Sequence, residues 1–415
     1  MLKGVVILAV KKKLRALVTL WLVLIFLSGC SVAGVIDGSS GSAGSVTPGL
    51  NAVADESNDT EPVDPVPEAT QVGDEDLPGG AFISVPQEVS DDDPGDGEPE
   101  ADIPEPGPEV VTLSVSAAGD VTLGGDRRWA GYHNFLRAFE LSGNDYTYFL
   151  GNVRHIFEAD DLTLVNLEGT LTDATEFNDK PYAFSGPPHF ANILSSSGVE
   201  AVSLANNHIM DFRDRGYKDT VASLEAGGVV YFGNEFNTIL EINGINVGLF
   251  GYLLWNDSQT NRNRITSSIE DLRDRGAELI IAYYHWGVER DNMPAAYQRA
   301  LGRFSIDSGV DLVLGSHPHV IQGIELYNGR YIVYSMGNFC FGGNSNPPDQ
   351  DTFIYRQTFT FIDGELQDSN DIEIIPARIS SEGRRNNFQP TVAEGDDGER
   401  ILQRIEDYSS RLPSG

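Results

Sequence analysis

Two histidines one residue apart, His317 and His319 in Gly315-Ser316-His317-Pro318-His319-Val320, follow directly on the apolar run Val310 to Leu314. In an extended chain, side chains two apart project to one face, so this spacing lets both imidazoles reach one bound ion. A histidine pair alone reads equally as a loop whose imidazoles satisfy buried backbone groups. What accompanies it matters more. Asp120, Glu168, Asn207 and His285 each stand at the carboxyl end of a β-rich segment. Singly, each has a structural reading: Asp120 as a turn or helix N-cap residue, Glu168 as a solvated charge, Asn207 as a turn former, His285 as a core imidazole. Jointly, this mixture of carboxylate, amide and imidazole suits Mn²⁺, Fe or Zn²⁺, and the six side chains together can hold two ions around a shared carboxylate. His208, beside Asn207, is left free as a proton donor to a leaving group, a role histidine fills with little perturbation of its pKa. Asn206 and Asn338 are candidate substrate-binding residues, and Arg290 and Arg356 lie close enough to motifs to line a cleft. His133, His155 and His189 fall outside the motifs and read as surface or capping residues, and Trp286 reads as core packing.

The elements that must position these residues alternate between strand and helix. Val110 to Ala117, Leu162 to Leu167 and Ala201 to Ala205 are β-rich, with helical patterns at Asn134 to Leu141, Phe190 to Ser196 and Gly216 to Ala226. That order predicts a substantially parallel core, in which ligands gather beyond the carboxyl ends of strands. Further on, Leu279 to Tyr284 and Val310 to Leu314 are apolar strands, and Pro294 to Ile306 is a helix opened by proline. Asn243-Gly244, Asn328-Gly329 and Asp363-Gly364 mark three hairpins, and Glu399 to Tyr408 a closing helix. The expected domain, 110–415, is therefore an α/β sandwich of two sheets.

Upstream lies different material. Lys11 to Arg15 form a basic segment, Ala16 to Leu27 an apolar one too short for a comfortable membrane span, and Leu27-Ser28-Gly29-Cys30 closes it. Residues 1–30 are expected to be a lipoprotein signal peptide, with Cys30 the lipidated mature N-terminus; the other reading is an uncleaved signal anchor. The apolar run Val5 to Val10 ahead of the lysines is consistent with translation starting at Val10 from a GTG codon, and a different codon there would exclude it. Residues 31–109 are rich in Gly, Ser, Pro, Asp and Glu and contain no Lys or Arg, so they are expected to form a disordered, self-repelling tether. Such a tether would let the domain range on the order of 50 Å from the membrane. It carries about twenty of the 62 acidic residues, more than half of the net charge of −34. The acidity that remains in the domain argues against nucleic-acid binding. With Cys30 consumed by lipid, Cys340 has no partner for an intramolecular disulfide, and the domain must hold together by its core.

Six segments in order carry a family resemblance: Gly119-Asp120-Val121-Thr122, Val165-Asn166-Leu167-Glu168-Gly169, Leu204-Ala205-Asn206-Asn207-His208, Tyr284-His285-Trp286-Gly287, Gly315-Ser316-His317-Pro318-His319-Val320 and Tyr334-Ser335-Met336-Gly337-Asn338-Phe339. Over roughly Leu113 to Asn344 the chain resembles the CapA family of capsule and poly-γ-glutamate synthesis proteins, similar in fold to calcineurin-like metallophosphoesterases. The resemblance implies a four-layer αββα sandwich and a dinuclear site of Asp120, Glu168, Asn207, His285, His317 and His319, with His208 catalytic. It departs from the metallophosphoesterase pattern at Thr122, where that superfamily has a second histidine ligand, and at Glu168, where it usually has aspartate. Two functions follow. One is a membrane-tethered, extracytoplasmic hydrolase with divalent ions, acting on a phosphoester or on the amide of an anionic polymer such as poly-γ-glutamate or a cell-wall-related chain. The alternative is a non-catalytic, metal-dependent module that anchors such a polymer.

Overall fold

The computed structural model describes residues 107–368, 371–383 and 385–413. The expected signal peptide, Cys30, the start at Val10 and nearly all of the acidic tether lie outside the described residues. The first strand, Val110–Thr122, pairs in parallel with Leu162–Leu167, which pairs with Ala201–Ser203 and then Val230–Phe232. On its other side it runs antiparallel to Asp351–Ile362, followed by Ile372–Arg378. The second sheet has a parallel centre, Arg330–Val333, Leu312–Ser316, Leu279–Trp286 and Ile245–Leu254, with antiparallel edges Ile324–Tyr327 and Thr238–Ile242.

Side-chain alternation along these strands builds four layers. In Leu279–Trp286, Leu279, Ile281 and Tyr283 face the core between the sheets, whereas Ile280, Ala282, Tyr284 and Trp286 pack beneath helices Gln259–Asp274 and Ala296–Asp307. In Val110–Thr122, Leu113, Val115 and Ala117 face inward, and Ala118 and Val121 face helices Ala130–Leu141, Ala191–Ser195 and Arg213–Gly227. The result is the αββα sandwich of metallophosphoesterase type. The helix Gly395–Ser410 closes the inter-sheet core with Ile401 and Ile405.

The Asn-Gly turns appear as expected, with Asn243 and Gly244 at φ of 53° and 82° and Asn328 and Gly329 at 46° and 77°. After Asp363-Gly364 the chain first forms the short strand Glu365–Leu366, and then Ile372–Arg378 returns to the same partner. The histidine pair is a correction to the extended-chain expectation. Its strand ends at Ser316, and His317 and His319 adopt left-handed φ values of 96° and 56°. The loop is held by Arg290 N–H donating to Pro318 O (2.8 Å), so a folded turn carries the imidazoles.

Candidate metal centre

Both sheets deliver their polar residues to one end of the sandwich. The first strand carries an irregularity between Ala118 and Asp120 that re-aims the aspartate, while Asp120 N–H donates to Gly337 O (3.0 Å). Gly119 is required by that approach, because a Cβ there would overlap Gly337 O. His285 shares the inward face of its strand with Tyr283, whose hydroxyl donates to Ala118 O (2.8 Å) and ties the sheets together beneath the site.

Asp120, Glu168 and His319 place their ligand atoms within 4.8 Å of one another, and could hold a metal ion. His319 Nδ1 lies 3.2 Å from Asp120 Oδ2, and His319 Nε2 lies 3.7 Å from Glu168 Oε1. A second group adjoins it: His285 Nε2 is 2.9 Å from Asn207 Oδ1, 3.0 Å from His317 Nδ1 and 3.7 Å from Glu168 Oε1. All six residues predicted as ligands are thus brought together, with Glu168 between the two groups.

Glu168 is fully buried, and among the described residues neither carboxylate oxygen has a hydrogen-bond partner. An unpartnered buried carboxylate is costly, and a cation is the partner this donor set would supply. Burial holds its carboxyl well above the usual range, with His319 opposing and Asp120 reinforcing the shift. Burial keeps His317 neutral, its pKa pushed down to about 3. Burial and the neighbouring imidazoles likewise depress His285 well below 6.5. Neutral imidazoles are the form that ligates. At His319, burial opposes protonation but Glu168 and Asp120 overcome it, raising the pKa to about 10. A proton on His319 therefore offsets part of the carboxylate charge that a metal ion could balance. The residues present fit divalent ions.

The surrounding hydrogen bonds orient these candidate ligands. Asn166 Nδ2 donates to Asp120 Oδ1 (2.8 Å) and lies 3.3 Å from His285 Nδ1, which also faces Ser316 Oγ at 3.1 Å. Asn206 is fully engaged in positioning: Nδ2 donates to Asn166 Oδ1 and Leu167 O, and Oδ1 accepts from His208 N–H. Asn338 Oδ1 lies 2.9 Å from His319 Nδ1, fixing that ring. Thr122 Oγ1 is likewise buried without a hydrogen-bond partner among the described residues.

His208 is buried and stacks on Phe184 at 4.2 Å. Its Nδ1 engages Asp211 Oδ2 (2.7 Å), and among the described residues Nε2 makes no hydrogen bond, so Nε2 is the atom left to exchange a proton. Burial lowers its pKa, while the Asp211 hydrogen bond pulls upward. Lys180 Nζ binds both Asp211 Oδ1 (2.7 Å) and Asn207 O (2.9 Å), fixing the turn that carries Asn207 and His208.

Sequence reasoning passed over Asn166, Lys180, Asp211, Ser316 and Trp255. Asn166 had a signal, as a polar residue inside an apolar strand, and Asp211 had one in its three-residue spacing from His208. Lys180 and Trp255 had none; Trp255, 40% exposed, meets the His317 ring at 4.8 Å. Arg356 lies away from the cleft, bound to Ser116 Oγ and Ile156 O. His133, His155 and His189 are exposed, and Trp286 is fully buried with its indole N–H donating to Tyr334 O (2.9 Å).

An αββα sandwich with carboxylates from one sheet and imidazoles from the other at a shared strand end is consistent with the metallophosphoesterase resemblance. Residues 114–343 match the family model described as bacterial capsule synthesis protein PGA_cap, and the chain belongs to that family. It is 27% identical over 250 residues to the "PGA biosynthesis protein CapA" of Bacillus subtilis, covering 55% of this chain and 63% of that relative. The "Capsule biosynthesis protein CapA" of Bacillus anthracis is 27% identical over 262 residues, covering 56% of this chain and 61% of its own. A "probable polyglutamine synthesis accessory protein" of Mycobacterium tuberculosis is 27% identical over 257 residues, 54% of this chain and 67% of the relative. The match thus spans less than two thirds of the length of the Bacillus relatives. Among solved structures, a hypothetical protein of Thermus thermophilus aligns with 64% of this chain and 98% of its own, at 17% identity and a TM-score of 0.38.

Proposed function

We propose that this chain is a metal-dependent hydrolase that acts on an anionic polymer of the poly-γ-glutamate type during capsule synthesis, export or anchoring. It would work from the extracytoplasmic face of the membrane, tethered by lipid on Cys30. The observation that carries the reading is Glu168, a fully buried carboxylate with no hydrogen-bond partner, 3.7 Å from a nitrogen of both His285 and His319. Asp120, Glu168 and His319 would hold one divalent ion and Asn207, His285 and His317 a second, with Mn, Fe and Zn all compatible with the donors. Bound there, the ions supply Lewis-acid charge and lower the pKa of water. Thr122 offers a hydroxyl in place of an imidazole, leaving one ion with fewer protein ligands.

The chain's own residues then supply the rest. Asn166 and Ser316 orient His285, and Asn338 orients His319. Asp211 holds the His208 ring with Nε2 available, and its carboxylate stabilises the imidazolium that donates a proton to the leaving atom. Amide and phosphoester bonds both accept such a proton, and relatives named for PGA biosynthesis and for polyglutamine synthesis make a polyamide the favoured substrate.

The test compares the wild type with Asp120→Ala and His208→Ala in Mn²⁺, on poly-γ-glutamate and on a general phosphodiester. Turnover by the wild type that is lost in both variants is expected. Metal-dependent binding of the polymer with no turnover by the wild type overturns the hydrolase and leaves an anchoring module.

A further inference from the structure

The chain carries 28 basic against 62 acidic residues, yet four guanidinium groups line a single cleft of about 750 Å³. These belong to Arg290, Arg378, Arg400 and Arg404. The cleft adjoins the metal centre: Arg290 N–H donates to the carbonyl of Pro318, between His317 and His319, and Val320 lines the same cleft. We propose that this cleft is a carboxylate-binding subsite, which holds the anionic chain beside the metal centre. The inference rests on the reading that the site acts on an anionic polymer.

The pairing within the cleft separates supporting arginines from available ones. Arg400 and Arg404 stand four residues apart on the helix Gly395–Ser410, whose Ile401 and Ile405 enter the core. Asp351 and Asp349 fix them, Arg400 Nη2 binding Asp351 Oδ1 and Arg404 Nη2 binding Asp349 Oδ2, each at 2.7 Å. Two carboxylates therefore balance these two guanidiniums and set a rigid floor.

Arg378 and Arg290 are less committed. Arg378 reaches Asp397 Oδ2 only at 3.4 Å and Gln350 Oε1 at 3.3 Å, and its buried Nε has no partner among the described residues. The Arg290 side chain is exposed and makes no hydrogen bond or ion pair among the described residues, though its backbone is held in a left-handed conformation with φ of 63°. A guanidinium presents donors in a planar fork that matches a carboxylate. A polymer with one carboxylate per repeat could place successive groups on Arg290 and Arg378 while a neighbouring bond lies at the metal centre. A local positive cleft also lets an acidic protein capture an acidic chain at contact distance despite repulsion at longer range.

The test titrates the full chain, with Mn²⁺ and after chelation, with a fluorescent γ-linked glutamate oligomer at fixed ionic strength. Arg290→Ala breaks no side-chain hydrogen bond or ion pair among the described residues, so it reads binding without a question of folding; Arg378→Ala is paired with a thermal midpoint and with Arg378→Lys, which keeps charge but not the fork. Arg290→Ala should weaken binding about threefold to fivefold, and the double alanine variant about tenfold or more, by a similar factor with and without Mn²⁺. A double variant that binds within about twofold of wild type overturns the proposal, as does arginine-dependent displacement by a glycerol-phosphate polymer at about a tenth of the oligomer concentration. Arginine-dependent binding by a wild type that shows no turnover supports the subsite and overturns only the hydrolase.

Discussion

Glu168→Gln is the sharpest probe of the metal centre, because it changes the charge while nearly conserving shape. In the metal-free protein the carboxylate has no hydrogen bonds to lose. Burial also raises its pKa well above the usual carboxylate value, so the charge that glutamine removes is one that burial already penalises. The substitution should change metal-free stability by no more than about 1 kcal/mol. With metal the variants diverge. Free Mn²⁺ at about a hundredfold over its dissociation constant stabilises the wild type by about 2.7 kcal/mol, equivalent to roughly 5 °C or more in the midpoint. Glutamine removes the carboxylate that stands between His285 and His319, and most of that gain should vanish. Calorimetric melting of both proteins with chelator and with Mn²⁺ measures the two differences. An equal Mn²⁺ shift in the variant, or a metal-free loss above about 3 kcal/mol, refutes the assignment of Glu168 as a ligand rather than a structural group.

Further outcomes follow from other contacts. Burial depresses His208 and Asp211 pulls against it, so Asp211→Asn lowers the His208 pKa further; because a proton donor fails as pH rises through its pKa, the alkaline limb of kcat/KM should move to lower pH, and an unmoved limb would remove His208 from the chemistry. Gly119→Ala sets a Cβ against Gly337 O and should cost about 3 kcal/mol by denaturant titration while weakening Mn²⁺ binding; an unchanged midpoint would contradict the close approach. Cys30→Ser should abolish incorporation of a labelled fatty acid into the chain, and labelling that persists in the variant would exclude the lipid tether at Cys30.

The sequence by itself determined the layered α/β plan and the polar residues that meet at the candidate metal centre. Apolar runs of strand length, each ending in a polar residue, define strands whose carboxyl ends face one way, and Asn-Gly turns place hairpins without any knowledge of distant contacts. Six ordered motifs then name Asp120, Glu168, Asn207, His285, His317 and His319. The tertiary structure decided how those groups are aimed. The irregularity at Asp120 sits where Gly337 O accepts from its N–H, a contact between residues far apart in the chain, and the left-handed turn of the histidines closes on Asp120, 197 residues from His317. Asn166 shows its purpose only when Asp120, His285 and Asn206 meet around it. The arginine cleft unites a loop, a strand and the closing helix that share no local pattern. Periodicity reports which face of an element is buried; which distant element covers that face depends on packing across the whole domain, and the electrostatics of the site are settled there.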